Sequence, residues 1–190
     1  CLIILCFFLM VEVTLAYENL ASFIIRDYDS TELPIVGNLD ADITIVEFFD
    51  YRCGYCSKQA VDLTKLLQEK ENIRIVYLEF PIFGGISETA AKIALIVWRN
   101  NPNLYFNVHN GLMALGSSMK KDNIINLLNQ LNLDGKLIFA EAEKDNDNEI
   151  ISRNRTLAKS LNIRGTPAII INDNLSPGYL KLETLKTIIQ

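Results

Sequence analysis

Two cysteines separated by two residues are the part of this sequence best suited to chemistry: Cys53-Gly54-Tyr55-Cys56. Such a pair has three plausible uses. A structural zinc site needs four ligands, but only His109 could add a nitrogen, and no second pair of cysteines has this spacing. An inert disulfide would close a loop too small to remove much entropy from the unfolded chain. Redox chemistry is the interpretation that we favour.

The pair is predicted to lie between a strand and a helix. Ile43–Phe49 is β-branched, aromatic and nearly all apolar, as in a strand covered on both faces. From Cys53 to Lys70 the apolar residues form a helical stripe. The first turn of a helix stabilises a thiolate through unpaired N–H groups and the helix dipole, so we expect a lowered pKa for Cys53. Cys56, one turn further, would be shielded and placed to attack a mixed disulfide.

The remaining pattern predicts one α/β domain with a helical insertion between its two halves. Ile73–Phe80 is predicted to be a second strand, parallel to the first because a helix connects them. Strand character returns at Ala168–Ile171, and a turn is expected at Ser176-Pro177-Gly178. The other helices are expected at Glu88–Asn100 with Ser87 as N-cap, Pro102–Leu115, Lys121–Leu131, Gly135–Leu161 and from Leu182 onward. Residues 17–40, with Pro34–Gly37 near their end, are expected to be an irregular lead-in.

The first residues are interpreted as a truncated secretory signal. Residues 1–11 form an unbroken apolar run, shorter than the roughly 20 residues that span a membrane. Thr14 and Ala16 put small residues where a signal peptidase reads them. The alternatives are a buried strand or helix, or a lipid anchor at Cys6. Cleavage would remove residues 1–16 and imply export, to the periplasm or beyond, into an oxidising compartment.

Composition and charge exclude several classes of protein. Of the 190 residues, 49% are hydrophobic and 22% charged, which excludes a disordered or low-complexity chain. The chain carries 18 Lys and Arg against 23 Asp and Glu, a net charge of −5, and its basic residues form no run. Binding to the phosphates of a nucleic acid is therefore not expected.

Further motifs accompany the cysteine pair, namely Val36–Ala41, Gly165-Thr166-Pro167 and Leu175–Tyr179. Together with Ile43–Cys56 they resemble the DsbA family of exported thioredoxin-fold thiol–disulfide oxidoreductases, from about residue 34 to the C-terminus. The resemblance implies a thioredoxin fold, with a mixed central sheet, over residues 41–190 and a helical insertion at about 87–160. It also implies a redox-active Cys53–Cys56 disulfide, with no other cofactor and no metal.

The resemblance assigns a role to the proline motif. Pro167 matches the family's cis-proline, and X–Pro bonds are the ones that adopt cis readily. A cis bond would turn the backbone of Thr166 toward a substrate peptide, which would bind by strand addition. Gly54 and Tyr55 would contribute to the same substrate-binding surface. The alternative is an ordinary trans proline that starts a strand.

Glu47, six residues before Cys53, matches a buried acid that relays a proton to or from the inner cysteine in the family. A carboxyl group in an apolar strand costs free energy unless it is neutral or paired, so its pKa should rise. The alternative is an outward-facing glutamate at the edge of the strand.

The other polar residues near the pair are weaker candidates. Arg52 would add positive charge beside the Cys53 thiolate or simply be solvated, and Asp50 would oppose that effect. His109 is expected on a helix surface rather than in catalysis. The Ile and Leu residues between 124 and 131 are expected in the core.

These features lead to one functional hypothesis and two rivals. The chain is expected to form, and as a second possibility to isomerise, disulfides in exported proteins, with a membrane partner that recycles its cysteines. Gly54 and Tyr55 would tune the reduction potential of the cysteine pair. A monomer is expected, because too few residues precede the first strand to form a dimerisation domain. One rival is a thioredoxin-fold chaperone that holds substrates without chemistry. The other is a metal carrier, for which Met113 and Met119 would have to supply a third soft ligand.

Overall fold

The computed structural model describes residues 19–29, 31–146 and 148–190. Their strands are β1 (Ile35–Gly37), β2 (Ile43–Phe49), β3 (Ile73–Glu79), β4 (Ala168–Ile171) and β5 (Asn174–Pro177). Their helices are α1 (Leu20–Arg26), α2 (Gly54–Glu69), α3 (Ile86–Asn100), α4 (Pro102–Leu115), α5 (Lys121–Gln130), α6 (Gly135–Lys144), α7 (Glu149–Ser160) and α8 (Leu182–Ile188). None of these helices is long and apolar enough to cross a membrane. The predicted signal segment, residues 1–16, lies outside the described residues.

The strands form a mixed sheet in the order β1-β3-β2-β4-β5. β2 and β3 run parallel because α2 carries the chain back between them, and the other neighbours pair antiparallel. This is the thioredoxin-like mixed sheet that the sequence predicts. β2 lies at the centre of the sheet, so its C-terminal end positions the residues that follow it, including Cys53.

Side chains alternate between the two faces of β2, and each face packs against its own set of helices. Ile45 and Phe49 belong to the cluster that includes the buried face of α2. Val46 and Phe48 belong to the cluster on the opposite face, with residues of α1 and α7. Glu47, between them in the alternation, therefore points to the same side as Ile45 and toward α2.

The helices between β3 and β4 divide into two groups. α3, α4, α5 and α6 pack on one another, and α4 also contacts α2. α7 packs against β3 on the far face of the sheet, and its residues Ile150 and Ile151 also contact α3. The cysteine pair consequently lies where α2 faces the α3–α6 group.

Several sequence-based expectations about local structure are wrong. The lead-in, residues 17–40, is not irregular, because it contains α1 and β1. The segment expected as a continuous helix over Gly135–Leu161 is divided into α6 and α7, and Asn148 caps α7 by accepting from the N–H of Ile151. Ser176 and Pro177 belong to β5 rather than to a turn.

The N-cap of α3 is Gly85 and not Ser87. Gly85 has φ of 51°, a backbone conformation that disfavours residues with a Cβ. The helix therefore begins one residue before Ser87, whose side chain is buried and bonded elsewhere.

Candidate active site

Cys53 is the N-cap residue of α2, directly after the turn that leaves β2. Its N–H donates to the carbonyl of Asp50 at 3.0 Å, which fixes the turn. Its Sγ accepts from the N–H of Cys56 at 3.4 Å and lies 3.2 Å from the carbonyl oxygen of Thr166. The side chain is 7% exposed, so only a narrow part of the sulfur faces solvent.

The surroundings of Cys53 favour its thiolate. A hydrogen bond from the Cys56 thiol, then bonds from Thr166 and from the N–H groups of Cys56 and Tyr55, lower the pKa of Cys53 to about 5, against the opposing effect of burial. A thiol with this pKa is almost entirely ionised at neutral pH, and its thiolate is a good leaving group.

Cys56 has the opposite character. It lies one turn into α2 with no exposed surface. Burial, its bond to Cys53 and the nearby charge of Glu47 raise its pKa well above the usual range. Both cysteines are free thiols here, so the structure represents the reduced state of the pair, with a reactive outer sulfur and a protonated inner one.

Glu47 is fully buried in β2, where it pairs in register with Tyr77 of β3 and Ile169 of β4. Neither of its carboxyl oxygens has a hydrogen-bond partner among the described residues. Burial, and next the negative charge of Cys53, raise its pKa well above the usual range. The carboxyl group of Glu47 is therefore buried and without a hydrogen bond among the described residues, and it is close enough to Cys53 for the two charges to interact.

The peptide bond between Thr166 and Pro167 is cis. The loop that contains it is held by a bond from the N–H of Gly178 to the carbonyl of Pro167 at 2.8 Å. It places the Thr166 backbone against Cys53. A cleft of about 590 Å³ opens beside this loop, lined in part by Arg164, Thr166 and Leu175.

Gly54 and Tyr55 form the exposed surface next to Cys53. A Cβ at Gly54 would meet nothing within 4 Å. The Tyr55 ring is 61% exposed and stacks on Tyr179, with the ring centroids 6.4 Å apart. Tyr179 in turn donates to Asp62 of α2 at 2.6 Å. The cysteine pair is thus bordered by an exposed aromatic ring, Tyr55, which stacks on a second ring that is hydrogen-bonded to α2.

The expectation that His109 lies on a helix surface is wrong, because its side chain is fully buried. Its Nδ1 lies 3.2 Å from the Tyr51 hydroxyl, which donates to Glu79 at 3.0 Å. Burial lowers the pKa of His109 to about 3, so the ring is neutral at pH 7. The signal was present in the sequence, since Tyr105, His109 and Leu112 fall on one helical stripe.

Asp50, which was considered only for its charge near the thiolate, makes hydrogen bonds that were not predicted. It is buried, and its Oδ1 accepts from the Arg52 N–H and the Ser87 hydroxyl, both at 2.8 Å. Its Oδ2 accepts from the N–H of Phe83 at 3.0 Å. Asp50 therefore ties the turn before Cys53 to the start of α3. The sequence did not indicate this function, because two of the three partners, Phe83 and Ser87, are more than 30 positions away in the chain.

Among the described residues, no group of three or more His, Cys, Asp or Glu side chains could hold a metal ion. Met113 and Met119 are both buried in the core. The Ile and Leu stripe of α5 contributes Ile124 and Leu128 to the same core, as expected.

A family model, a curated relative and solved structures are all similar to this chain. Residues 44–190 match the family model of the DSBA-like thioredoxin domain. Disulfide bond formation protein D of Bacillus subtilis is 25% identical over 176 residues, which covers 83% of this chain and 75% of that protein. A thioredoxin-like oxidoreductase from Silicibacter pomeroyi has a TM-score of 0.74 at 30% identity, covering 85% of this chain and 91% of its own.

Two further solved structures are similar over comparable lengths. The thiol–disulfide exchange protein alpha-DsbA2 from Wolbachia pipientis has a TM-score of 0.75 at 28% identity, covering 87% of this chain and 91% of its own. A periplasmic thioredoxin-like protein from Salmonella enterica serovar Typhimurium has a TM-score of 0.72 at 29% identity, covering 85% and 90% respectively.

Proposed function

The chain belongs to the DSBA-like thioredoxin domain family of thiol–disulfide oxidoreductases, and from this premise we propose that it introduces disulfide bonds into exported proteins. The observation that carries the proposal is the contrast between the two cysteines. Because Cys53 is stabilised as a thiolate, the reduced pair is favoured over the disulfide, and a protein with this preference oxidises others.

The proposed reaction begins with the Cys53–Cys56 disulfide. A substrate thiolate attacks the Sγ of Cys53, which has some exposed surface, whereas Cys56 has none. The bond between the two enzyme sulfurs breaks, and Cys56 leaves with the electron pair. Glu47 supplies the proton that converts Cys56 to a thiol, in keeping with its buried and unbonded carboxyl group.

A second substrate thiolate completes the reaction. It attacks the substrate sulfur of the mixed disulfide, so that the substrate disulfide forms and Cys53 leaves as a thiolate. The low pKa of Cys53 makes it a good leaving group. Two electrons pass from the substrate to the cysteine pair, which must then be oxidised again, and we propose a membrane redox partner for that step.

The substrate is proposed to lie across the cis-proline loop. The backbone of Thr166 next to Cys53 offers an edge to which an extended peptide can add as a strand. Gly54 and the exposed Tyr55 ring would border the same peptide. The binding surface at this loop is then mainly backbone and aromatic, so the loop itself would accept peptides of varied sequence.

Export is part of the proposal. It is supported by the apolar N-terminal run and by the similarity to a periplasmic thioredoxin-like protein.

The reduction potential of the Cys53–Cys56 pair tests the proposal. Equilibration with glutathione buffers should give a value between about −120 and −180 mV, the range of proteins that donate disulfides. A value near −270 mV, typical of a reductant such as thioredoxin, would contradict it.

A second experiment separates an enzyme from a chaperone that only holds its substrates. Cys53→Ser should abolish oxidation of a reduced substrate protein, because the sulfur that forms the mixed disulfide is lost. Cys56→Ser is mixed instead with a substrate that already contains a disulfide: the Cys53 thiolate attacks that bond and one substrate thiolate leaves. The mixed disulfide at Cys53 should then accumulate, because Cys56 is absent and cannot resolve it, and mass spectrometry detects it. If neither the unmodified protein nor Cys53→Ser oxidises the substrate, and Cys53→Ser holds it as well as the unmodified protein does, the chaperone would be favoured.

A further inference from the structure

A separate cleft begins next to Cys53 and shares no lining residue with the cleft at the cis-proline loop. Its volume is about 690 Å³, within the range of sites that bind small ligands or short peptide segments. One wall is α2, from Gly54 to Lys65, and the other is the end of α4 with the turn at Gly116.

The floor of this cleft is apolar and fixed. The Ser57 hydroxyl donates to the carbonyl of Met113 at 2.8 Å, which joins α2 to α4. The Thr64 hydroxyl donates to the carbonyl of Ala60 at 2.7 Å within α2. Since these hydroxyls are bonded within the protein, a ligand would meet mainly the surfaces of Ala60, Val61 and Leu115 on the floor and walls.

The rim is positively charged. Arg52 lies at the end near Cys53, and Lys65 lies three turns along α2. No Asp or Glu lines the cleft, and in the described parts of the chain neither cation makes an ion pair. Two unpaired cations around one cleft stand out in a chain whose net charge is −5, and they favour an anionic occupant.

We propose that this cleft binds the part of the substrate chain next to the reacting cysteine and selects segments with acidic side chains. The inference rests on the proposed function, because the occupant is tethered to Cys53 through the mixed disulfide. An extended peptide leaving Cys53 along α2 would place its apolar atoms on the floor and its carboxylates at the rim.

The dimensions set the spacing of the acidic side chains. Gly54 and Lys65 are separated by about 16 Å along the helix axis, and an extended chain advances about 3.3 Å per residue. A carboxylate about five residues from the substrate cysteine would therefore reach Lys65. A carboxylate at the first or second residue would reach Arg52.

The test uses the oxidised protein and an excess of peptides with a single cysteine. The peptides are identical except for Asp or Asn at the second and fifth positions on both sides of the cysteine. Two peptide thiols reduce one Cys53–Cys56 disulfide and form a peptide disulfide, so the rate is followed by separating the acid-quenched mixture. Each rate is divided by the rate of the same peptide with 2-hydroxyethyl disulfide, which removes differences in thiol reactivity.

The Asp peptide should react about fivefold faster than the Asn peptide at low ionic strength. The difference should vanish in 1 M salt, where charges are screened within about 3 Å. Lys65→Glu should abolish the preference, and Lys65→Gln should reduce it. The control is Lys136→Glu on the exposed face of α6, which makes the same charge change away from the cleft and should leave the preference intact.

The outcomes distinguish this inference from the proposed function. Equal normalised rates for the two peptides, or a preference that survives Lys65→Glu, would overturn the acidic specificity while disulfide exchange stands. Failure of both peptides to reduce the protein would instead overturn the proposed function.

Discussion

Glu47 and Asp50 are two buried carboxyl groups three positions apart, with exposed fractions of 0% and 1%. Asp50 accepts three hydrogen bonds, from two backbone N–H groups and a hydroxyl. Glu47 accepts none from the described residues. Two carboxyl groups that are equally buried thus differ in their hydrogen bonds: Asp50 accepts three, and Glu47 accepts none from the described residues.

The difference explains how one short segment can be both rigid and reactive. A buried carboxyl group with complete hydrogen bonding stabilises its surroundings, and removing it leaves its donors unsatisfied. A buried carboxyl group without bonds costs free energy and holds its proton to a higher pH. Asp50 therefore has the properties of a structural anchor, and the raised pKa of Glu47 agrees with the proton transfer to Cys56 that we propose for it.

The largest expected effect is a loss of stability in Asp50→Ala. Three donors would lose their acceptor, one of them buried and two partly buried. Since an unsatisfied buried donor costs about 1 to 3 kcal/mol and a partly buried one costs less, the free energy of unfolding should fall by about 3 kcal/mol. Urea unfolding of the reduced proteins measures the change. Asp40→Ala removes an exposed carboxyl group and should change stability by less than about 0.5 kcal/mol. A similarly small effect at Asp50 would show that its bonds do not anchor the turn.

Glu47→Gln should slow chemistry instead. Loss of a positioned proton donor typically costs 10²- to 10⁴-fold; since water can substitute in part, we expect about a 10- to 100-fold slower attack of substrate on Cys53. Rapid-quench kinetics resolves this step from the second one, in which Cys53 leaves as a thiolate. The second step needs no proton at Cys56 and is the internal control. Equal slowing of both steps would argue against proton transfer by Glu47.

The same substitution predicts a pH dependence of stability. The pKa of Glu47 is raised in the folded state, so the unfolded chain loses this proton first as the pH rises above about 4.5. Stability contributed by the protonated group is then lost progressively up to the folded pKa. Glu47→Gln should therefore stabilise the protein more at pH 7 than at pH 4, as measured by urea unfolding at both values. A pH-independent difference would mean that folding does not shift the pKa of Glu47.

The smallest expected effect belongs to Ser87→Ala. It removes one of the three bonds to Asp50 and leaves the two backbone N–H groups in place. The free energy of unfolding should fall by about 1 kcal/mol. Combined with Asp50→Ala, the loss should be less than the sum of the two, since the residues share a bond. Strict additivity would show that the contact contributes no coupling.

Local sequence was enough to predict the elements that hold the cysteine pair. β2, β4 and α4 begin and end at the predicted residues, because long apolar runs, Pro102 at the first helical position and the proline before Ala168 specify them directly. The cis bond at Pro167 was expected from family resemblance rather than from physics, since nothing local to a proline fixes its isomer in a fold.

Two of the missed features depend on partners far away in the chain. β1 has three residues and exists because it pairs with β3. β5 instead pairs with the preceding strand, β4, in a hairpin, and it was missed because Ser176, Pro177 and Gly178 are typical turn residues. α1 has only seven residues, too few for a clear helical period. The bond between Asp50 and Ser87 requires β2 and β3 to lie side by side before the two residues can meet.

The two edges of the sheet have a consequence for a protein that works among unfolded chains. The outer edge of β1, which pairs with no further strand, is three residues long. The outer edge of β5 is four residues long, and its last residue, Pro177, has no N–H to donate. Long, flat edges capture other extended chains and seed aggregation, whereas short edges ended by proline do not. If an unfolded substrate binds along the Thr166 backbone as proposed, the short edges of the sheet offer it no second place to add as a strand, so the protein's own sheet would not become a template for fibre growth.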